Sequence, residues 1–268
     1  MKNSTGIISK RQQLILQKLK ENHSVKIDEL SKTLSVSPIT IRRDLQLFEN
    51  NGIVERFYGG ATLIEGSLGD DPSLSDTSEK LSQQKHAIAK YAASLIEDGD
   101  TIFINSSSTA LLVLEYVGNK HITVITNNGK ALQADSAPNI ELVLTGGEVN
   151  RRKKCMVGDF ATHILSKIAA DKCFLGVSGV SAHSGISTSV LQETAVNAMM
   201  LKRCTGPKYI LADCSKVGKD HNFIIGELGR MSEKMFTLIT DSGADPHEIE
   251  RLKEKGIEII QVNPKITE

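Results

Sequence analysis

From Thr101 to Val262 the chain alternates short β-prone runs with longer stretches at helical spacing, and does so seven times. The runs are Thr101–Ile104, His121–Ile125, Ile140–Leu144, Lys172–Val177, Lys208–Leu211, Phe236–Ile239 and Glu258–Val262. Strands this far apart in the chain are not joined by tight hairpins; parallel neighbours need a crossover of a dozen residues or more, usually a helix. The pattern predicts an α/β domain built on a mostly parallel sheet covered by helices. Ligands of such sheets bind beyond the carboxyl ends of the strands, so the residues just after each run are the ones that can form a site.

The chain before this region reads differently. At 268 residues the chain has length for two domains. Lysine plus arginine and aspartate plus glutamate both total 32, but the balance is uneven. Residues 1–62 carry 10 basic and 6 acidic side chains, and residues 63–268 carry 22 basic and 26 acidic ones. The basic segment begins with Ser9-Lys-Arg-Gln12 at capping-box spacing, which predicts a helix to about Glu21. A second helix is expected over Ile27–Leu34 and a third from Ser37 to about Asn50, with Ser37 as N-cap, Pro38 at N1 and Gly52 as the stop. At 100° per residue Ile41, Leu45 and Phe48 share the buried stripe of the third helix, and Ile39, Arg43, Gln46 and Asn50 face outward.

A short helix, a tight turn and a third helix with Arg42 and Arg43 near its start can present side chains to a DNA major groove. Ile39, an apolar residue on the outward face, suits a thymine methyl group. Two β-prone pieces, Ile53–Arg56 and Thr62–Ile64, flank Phe57–Ala61 and predict a small hairpin, or wing. Its Arg56 and the backbone of Gly59 and Gly60 can approach phosphates. On periodicity alone, a small basic helical bundle is an equal reading.

Residues 64–78 are polar, rich in Gly, Pro, Asp and Ser, and read as a linker, after which Glu79–Glu97 returns to helical spacing. Among the strand ends, Asn105-Ser-Ser-Ser-Thr109 leads into a helix expected over Ala110–Val117. Hydroxyls and free amide protons at a helix start either cradle an anion or cap the helix. Lys216 brings a positive charge just after the fifth run. Arg151-Arg-Lys-Lys154 is the densest basic run, readable as a solvated loop or as an electrostatic gate over an anionic ligand.

Several classes are excluded by what the chain lacks. Its four cysteines are spaced 18, 31 and 10 residues apart without a Cys-x-x-Cys pair, which argues against a disulfide framework or a zinc site. No apolar run approaches the roughly 18 residues needed to cross a bilayer, and no signal peptide is evident, so no membrane partner is expected and the cytoplasm is the default address. Eleven aromatic residues and no tryptophan disfavour a binder of single strands that stacks bases. Duplex DNA is the better target.

Val36-Ser-Pro-Ile-Thr-Ile-Arg-Arg-Asp-Leu45, Gly52 and Arg56-Phe-Tyr-Gly-Gly-Ala61 together resemble the N-terminal signature of the DeoR family of bacterial transcription regulators. The resemblance covers residues 8–63 and implies that Ser37, Thr40, Arg42 and Arg43 belong to a recognition helix. Asp44 also matches; its direction lies near the buried stripe, where it would partner an arginine. From Glu79 to Val262 the chain is similar to the family's sensor domain, whose fold is like that of ribose-5-phosphate isomerase and the glucosamine-6-phosphate deaminases. The matching letters are Gly99-Asp100, Val124–Asn127, Thr145-Gly-Gly147, Val157-Gly158, Phe174–Gly179, Gly185–Ser187, Asp213–Lys216 and Ile239–Asp241. The resemblance implies a phosphorylated sugar or related metabolite as effector, with Ser107, Ser108 and Thr109 at its phosphate and Asn127, Gly147, Gly179, Glu193 and Lys216 near its sugar. The chain departs from the family at Asn105 and Ser107, where an aspartate and a glycine are usual. Asn105 removes a negative charge from the loop, and Ser107 restricts its backbone.

The functional expectation is a DNA-binding regulator, most often a repressor of a carbohydrate operon, modulated by a phosphorylated sugar. It would act as a homo-oligomer, dimer or tetramer, on paired half-sites. No cofactor, metal or catalytic residue is expected. The alternative is a sugar-phosphate isomerase or deaminase with an added DNA-binding domain. Isomerisation needs a base beside the carbonyl carbon and an electrophile at its oxygen. Ser178-Gly-Val-Ser181 offers no carboxylate, and Glu193 with Lys216 make an incomplete set.

Overall fold

The computed structural model describes residues 3–22, 24–50, 53–57, 59–63, 74–134, 139–151, 153–226 and 236–263. The chain divides into two units, Met1–Leu81 and Ser82–Glu268. The first contains α1 (Asn3–Asn22), β1 (Ser24–Lys26), α2 (Ile27–Leu34), α3 (Pro38–Asn50), β2 (Val54–Phe57) and β3 (Gly60–Leu63). The strands form an antiparallel sheet in the order β1-β3-β2. Its core gathers Ile15, Leu16 and Leu19 of α1, Ile27 and Leu30 of α2, Ile41, Leu45 and Phe48 of α3, and Val54 and Ala61 of the wing. Burying these side chains contributes on the order of 1.5–3 kcal/mol for each large one, an upper estimate because the unfolded chain already hides part of its surface.

The second and third helices have the limits expected of them. Ser35, at φ 51°, ends α2 in the left-handed region, and the Ser31 hydroxyl donates to the Val36 carbonyl at 2.6 Å, which tightens the turn. Ser37 then caps α3, its Oγ accepting from the Thr40 amide at 3.3 Å. Gly52 lies outside the described residues. The first helix differs from expectation, starting at Asn3 rather than Ser9. No proline interrupts residues 3–9, so the helix propagates through Ser9. The strand β1 was not expected, because three residues with one apolar side chain show no period; its pairing comes from β3.

The second unit takes in most of α4 (Leu74–Ser94), which begins inside the stretch expected to be a linker and ends earlier than Glu97. There is no glycine or proline between Ser73 and Ser94 to stop it. Residues 64–73 lie outside the described residues. There follow β4 (Thr101–Ile104), α5 (Ser108–Leu111) with a 3₁₀ turn over Leu112–Tyr116, β5 (Ile122–Thr126), β6 (Ile140–Leu144), β7 (Glu148–Asn150), β8 (Cys155–Val157) and α6 (Gly158–Ser166). The rest is β9 (Lys172–Gly176), β10 (Gly179–Ser181), β11 (Gly185–Thr188), α7 (Leu191–Arg203), β12 (Lys208–Leu211), β13 (Phe223–Gly226), β14 (Thr237–Asp241), α8 (Pro246–Glu254) and β15 (Glu258–Val262).

All seven expected strands pair in one sheet, in the order β15-β14-β12-β9-β4-β5-β6, and every pairing is parallel. One face packs on Ile88, Ala89 and Ala92 of α4, Ala110 of α5 and Val113 of the 3₁₀ turn. The other packs on Ala161 and Leu165 of α6, Val196 and Met200 of α7, and Ile249 and Leu252 of α8. Across the amino ends of β4 and β9, Lys172 Nζ meets Asp100 at 2.7 Å, both groups nearly buried. The chain leaves β4 toward β5 and β6 on one side and later returns to β9 on the other. The carboxyl ends of β4 and β9 therefore form the switch point at which the connections part and a crevice opens.

Candidate functional site

Two groups of residues were expected to work, one in each unit. In the first, α3 holds its inner face by Ile41, Leu45 and Phe48. Asp44 is also buried, and Arg11 of α1 donates to it through Nε at 2.6 Å and through a terminal nitrogen at 3.0 Å, with Gln12 adding 3.2 Å. Bonding to that carboxylate, opposed by burial, holds the Arg11 guanidinium above its ordinary value. Asp44 and Arg11 together lock α3 onto α1, the role expected of Asp44.

On the opposite side of α3, Ile39 is 62% exposed, and Arg42 and Arg43 are exposed with no ion pair among the described residues. Ser37 and Thr40 lie at the helix start, their hydroxyls 2.9 Å apart. This is an apolar tip beside two unpaired cations, what an α-helix in a major groove requires. Arg56 is placed differently. It donates to Gln46 and lies 3.9 Å from Glu49, so it braces the wing against the carboxyl half of α3. Gly59, at φ 91°, lies at the exposed wing tip, and its carbonyl accepts from the Ile27 amide at 2.8 Å. Gly60 is buried, and a Cβ there would overlap the Val25 carbonyl and the Phe57 ring. Packing inside the unit accounts for glycine at 60; of the two glycines, Gly59 is the exposed one.

In the second unit the loop after β4 lies at the switch point. Asn105 is buried beneath it: Nδ2 donates to the Gly176 carbonyl at 2.8 Å and to Asn197 at 3.1 Å, and Oδ1 accepts from the Gly176 amide at 3.0 Å and the Ser107 amide at 3.3 Å. Expected as an effector contact, Asn105 instead has its side-chain amide fully engaged in clamping β4 to β9. An aspartate could not make the two donations, which gives the departure from the family's usual letter a physical reason. Ser107 caps α5, its Oγ accepting from the amides of Thr109 and Ala110 at 3.2 and 3.4 Å. It lies over Gly176, where a Cβ would overlap Ser107 Oγ. Ser108 is exposed, and Thr109 is buried with its hydroxyl unpartnered.

Glu193, on the first turn of α7, accepts from Ser106 at 3.0 Å and from Thr188 at 3.3 Å. Nearby, burial and then the Glu193 charge push the Cys155 thiol up to about 11, against a bond from Ser106. Asn127 is buried with Nδ2 on the Met156 carbonyl at 2.9 Å and Oδ1 unpartnered. Gly147 has φ 114°, and a Cβ there would be 2.6 Å from the Val157 carbonyl. Asn127 and Gly147 thus both border β8, which brings Cys155 to Ser106 and Glu193. Gly179 is buried, and a Cβ there would overlap the Lys219 carbonyl, so it too is explained by packing.

A second cluster lies at the end of β12. Lys216 Nζ is 3.5 Å from the buried Asp213 carboxylate, which also accepts from the Ser215 amide at 3.1 Å and from the Ser215 hydroxyl. Burial alone would raise Asp213, but Lys216, Ser215 and Lys85 outweigh it and hold the carboxyl below its ordinary value. Lys85, on α4, was missed: from sequence it is one more lysine on a charged helix. Burial, and then the charge of Lys216, lowers its ammonium, against the pull of Asp213. Arg151 and Lys154 line a separate groove of about 380 Å³ with Leu132, Leu144, Val149 and Met156, and Arg152 lies outside the described residues. No group of three or more metal-ligating side chains occurs among the described residues, and no helix among them is long and apolar enough to cross a membrane.

Residues 11–67 match the model of the DeoR-like helix-turn-helix domain, and residues 80–242 that of the DeoR C terminal sensor domain. The chain is 32% identical to an HTH-type transcriptional regulator, GolR, of Listeria innocua, over 93% of this chain and 96% of that protein. It is 31% identical to a putative aga operon transcriptional repressor of Escherichia coli O157:H7, over 97% and 96%. To a lactose phosphotransferase system repressor of Streptococcus mutans it is 31% identical, over 86% and 91%. Among solved structures, ribose 5-phosphate isomerase A of Methanocaldococcus jannaschii matches with a TM-score of 0.36 at 21% identity, over 49% of this chain and 52% of that one. The Listeria, Escherichia and Streptococcus relatives are regulators and repressors by name, not enzymes. With both halves matched, and with relatives aligned along nearly the whole length, the chain belongs to the DeoR family of DNA-binding transcriptional regulators.

Proposed function

We propose that this regulator is a repressor of a carbohydrate operon, and that a phosphorylated sugar releases it from operator DNA. The observation that carries the reading is the outer face of α3, where Ile39, Arg42 and Arg43 stand free while Asp44 and Arg11 fix the inner face. Residues 8–63 bind DNA through Ser37, Ile39, Thr40, Arg42 and Arg43, with Gly59 at the wing tip. Residues 79–268 sense the effector. Ser107, Ser108 and Thr109 hold its phosphate side, with Asn127, Gly147, Glu193 and Lys216 around the crevice and Asn105 shaping the loop from beneath. The aga and lactose repressors named above support a sugar operon as the target. The protein works in the cytoplasm as a dimer or tetramer, since one helix-turn-helix unit reads only a half-site.

A ligand releases DNA only if it binds the non-binding state more tightly than the other. The test is a mobility shift of the purified protein on its own upstream DNA at fixed salt, with a panel of sugar phosphates and their unphosphorylated forms. Release by a phosphorylated sugar alone is the expected result. Specific binding that no sugar phosphate alters would overturn the sensor reading and leave the DNA-binding reading standing.

A further inference from the structure

The three most exposed large apolar side chains among the described residues are Phe160 at 76%, Leu132 at 70% and Val149 at 66%. Apolar residues scattered singly over a surface need no explanation, but these three belong to two neighbouring features of the second unit. Leu132, in the 3₁₀ turn Gly129–Gln133, and Val149, in β7, line the groove of about 380 Å³ together with Leu144 at the end of β6 and Met156 of β8. Val149 and Met156 are cross-strand partners and share one face of the β7–β8 ribbon. The same groove has two cations at its lining, Arg151 and Lys154. Phe160 lies in the first turn of α6, the helix that starts where β8 ends. Ala161 and Leu165 of that helix pack on the sheet, which leaves Phe160 and, one turn on, Ile164 at the surface. Carboxylates stand beside Phe160: Asp159 precedes it, and the Glu148 carboxyl lies 3.1 Å from where a Cβ on Gly158 would be. Asp159, Glu148, Arg151 and Lys154 are all exposed, and none has an ion-pair partner among the described residues. The chain thus carries an aromatic knob with acidic neighbours and an apolar groove with basic ones, each the complement of the other.

We propose that these features are the two halves of an interface between two copies of this chain, with Phe160 of each copy seated in the groove of the other. Opposite signs at knob and groove bring Asp159 and Glu148 of one copy toward Arg151 and Lys154 of its partner, which sets the register of the pair. The exchange is reciprocal, so a single twofold axis supplies both contacts and the assembly closes. Head-to-tail use of the same parts would run on as a ring or a filament, whereas a regulator that reads paired half-sites needs a closed pair. Because α6 begins at the end of a strand that lines the groove, knob and groove are neighbours on the unit, as a reciprocal exchange requires. The groove has the volume of a small-molecule pocket, ample for one benzyl group, and a buried aromatic side chain is the kind of anchor on which binding energy concentrates. The proposal rests on the reading above that the protein works as a dimer or tetramer, and adds the surface that makes the pair.

Analytical ultracentrifugation of the full-length protein tests this with two charge-reversed variants, one carrying Glu148→Lys and Asp159→Lys, the other Arg151→Glu and Lys154→Glu. Each variant alone sets like charges against each other at both contacts. It is expected to sediment at half the wild-type mass, at concentrations where the wild type stays associated. Mixed in equal amounts, the two variants set opposite charges at both contacts, and the wild-type mass is expected to return. Phe160→Ala, which removes an exposed ring and leaves the fold alone, is expected to raise the dissociation constant by about tenfold or more. Circular dichroism reports the folding of each variant, and where a reversed variant does not fold the Phe160→Ala result decides. Wild-type association in a reversed variant, loss in two folded variants without recovery on mixing, or an unchanged dissociation constant for Phe160→Ala overturns the proposal and spares the oligomer reading. A monomeric wild-type protein overturns both.

Discussion

Single side chains at the two sites make separable demands. Arg43 is exposed and touches no acidic group among the described residues, so replacing it by alanine is expected to remove the proposed DNA contact without loosening the fold. Arg43→Ala is expected to weaken operator binding by about 1–3 kcal/mol at one base position if the guanidinium reads a guanine. Titration of an operator substitution series checks this, and a uniform loss across the series would mark a phosphate contact instead. Gly176 makes the opposite demand. A methyl group there would push Ser107 off its position over β9 and disturb the cap of α5. Gly176→Ala is expected to lower stability by about 1–3 kcal/mol and to blunt release by sugar phosphates, while DNA affinity without ligand stays at the wild-type level. Denaturant melts and the mobility shift read the two effects, and an unchanged effector response would show that the loop does not hold the ligand.

At the level of elements, α3 is set by its inner carboxylate as much as by its apolar stripe. Asp44→Asn keeps the shape but removes the charge that Arg11 answers at 2.6 Å. A loss of about 1.5–3 kcal/mol in unfolding free energy is expected, as for a hydrogen bond to a charged group, with melting of the first unit as the readout. Stability equal to wild type would make the pair incidental. The elements most readable in the sequence were those with strong local signals: α2, α3 behind Ser37 and Pro38, and seven strands rich in isoleucine, valine and leucine. Less readable were β1, β7, β8, β10, β11 and β13. These have three or four residues, several with glycine or serine, and their pairing is decided by distant partners such as Gly179 against Ser187. The sites divide the same way. The exposure of Arg42 and Arg43 follows from their position on α3, but the burial of Asn105 and the packing duty of Gly60 and Gly179 depend on elements far apart in the chain.

For the molecule as a whole, the even charge total conceals a basic first segment and an acidic remainder. The acidic balance of the remainder is consistent with DNA binding, as proposed above, through α3 and the wing, a small surface whose affinity is expected to gain from duplication. Paired half-sites separated by one helical turn of DNA, roughly 10 base pairs, or a multiple, are expected to bind far more tightly than a single half-site. Operators with five added base pairs are expected to lose most of that gain, and sedimentation in solution to give a dimer or tetramer; a monomer that binds one half-site as tightly as two would refute this. The order of the parallel sheet also bears on how the protein is made. As the chain emerges, β5 joins one edge of β4, β6 joins β5, and β9 takes the other edge of β4, after which β12, β14 and β15 extend outward. Each strand thus finds an edge already waiting, and none must be threaded between two that have paired. The longest wait is at β4, whose second edge stays open while the 67 residues between Ile104 and Lys172 are synthesised. At about 5–20 residues per second that is roughly three to thirteen seconds, the interval in which one ribosome's product is most open to edge-to-edge pairing with another's.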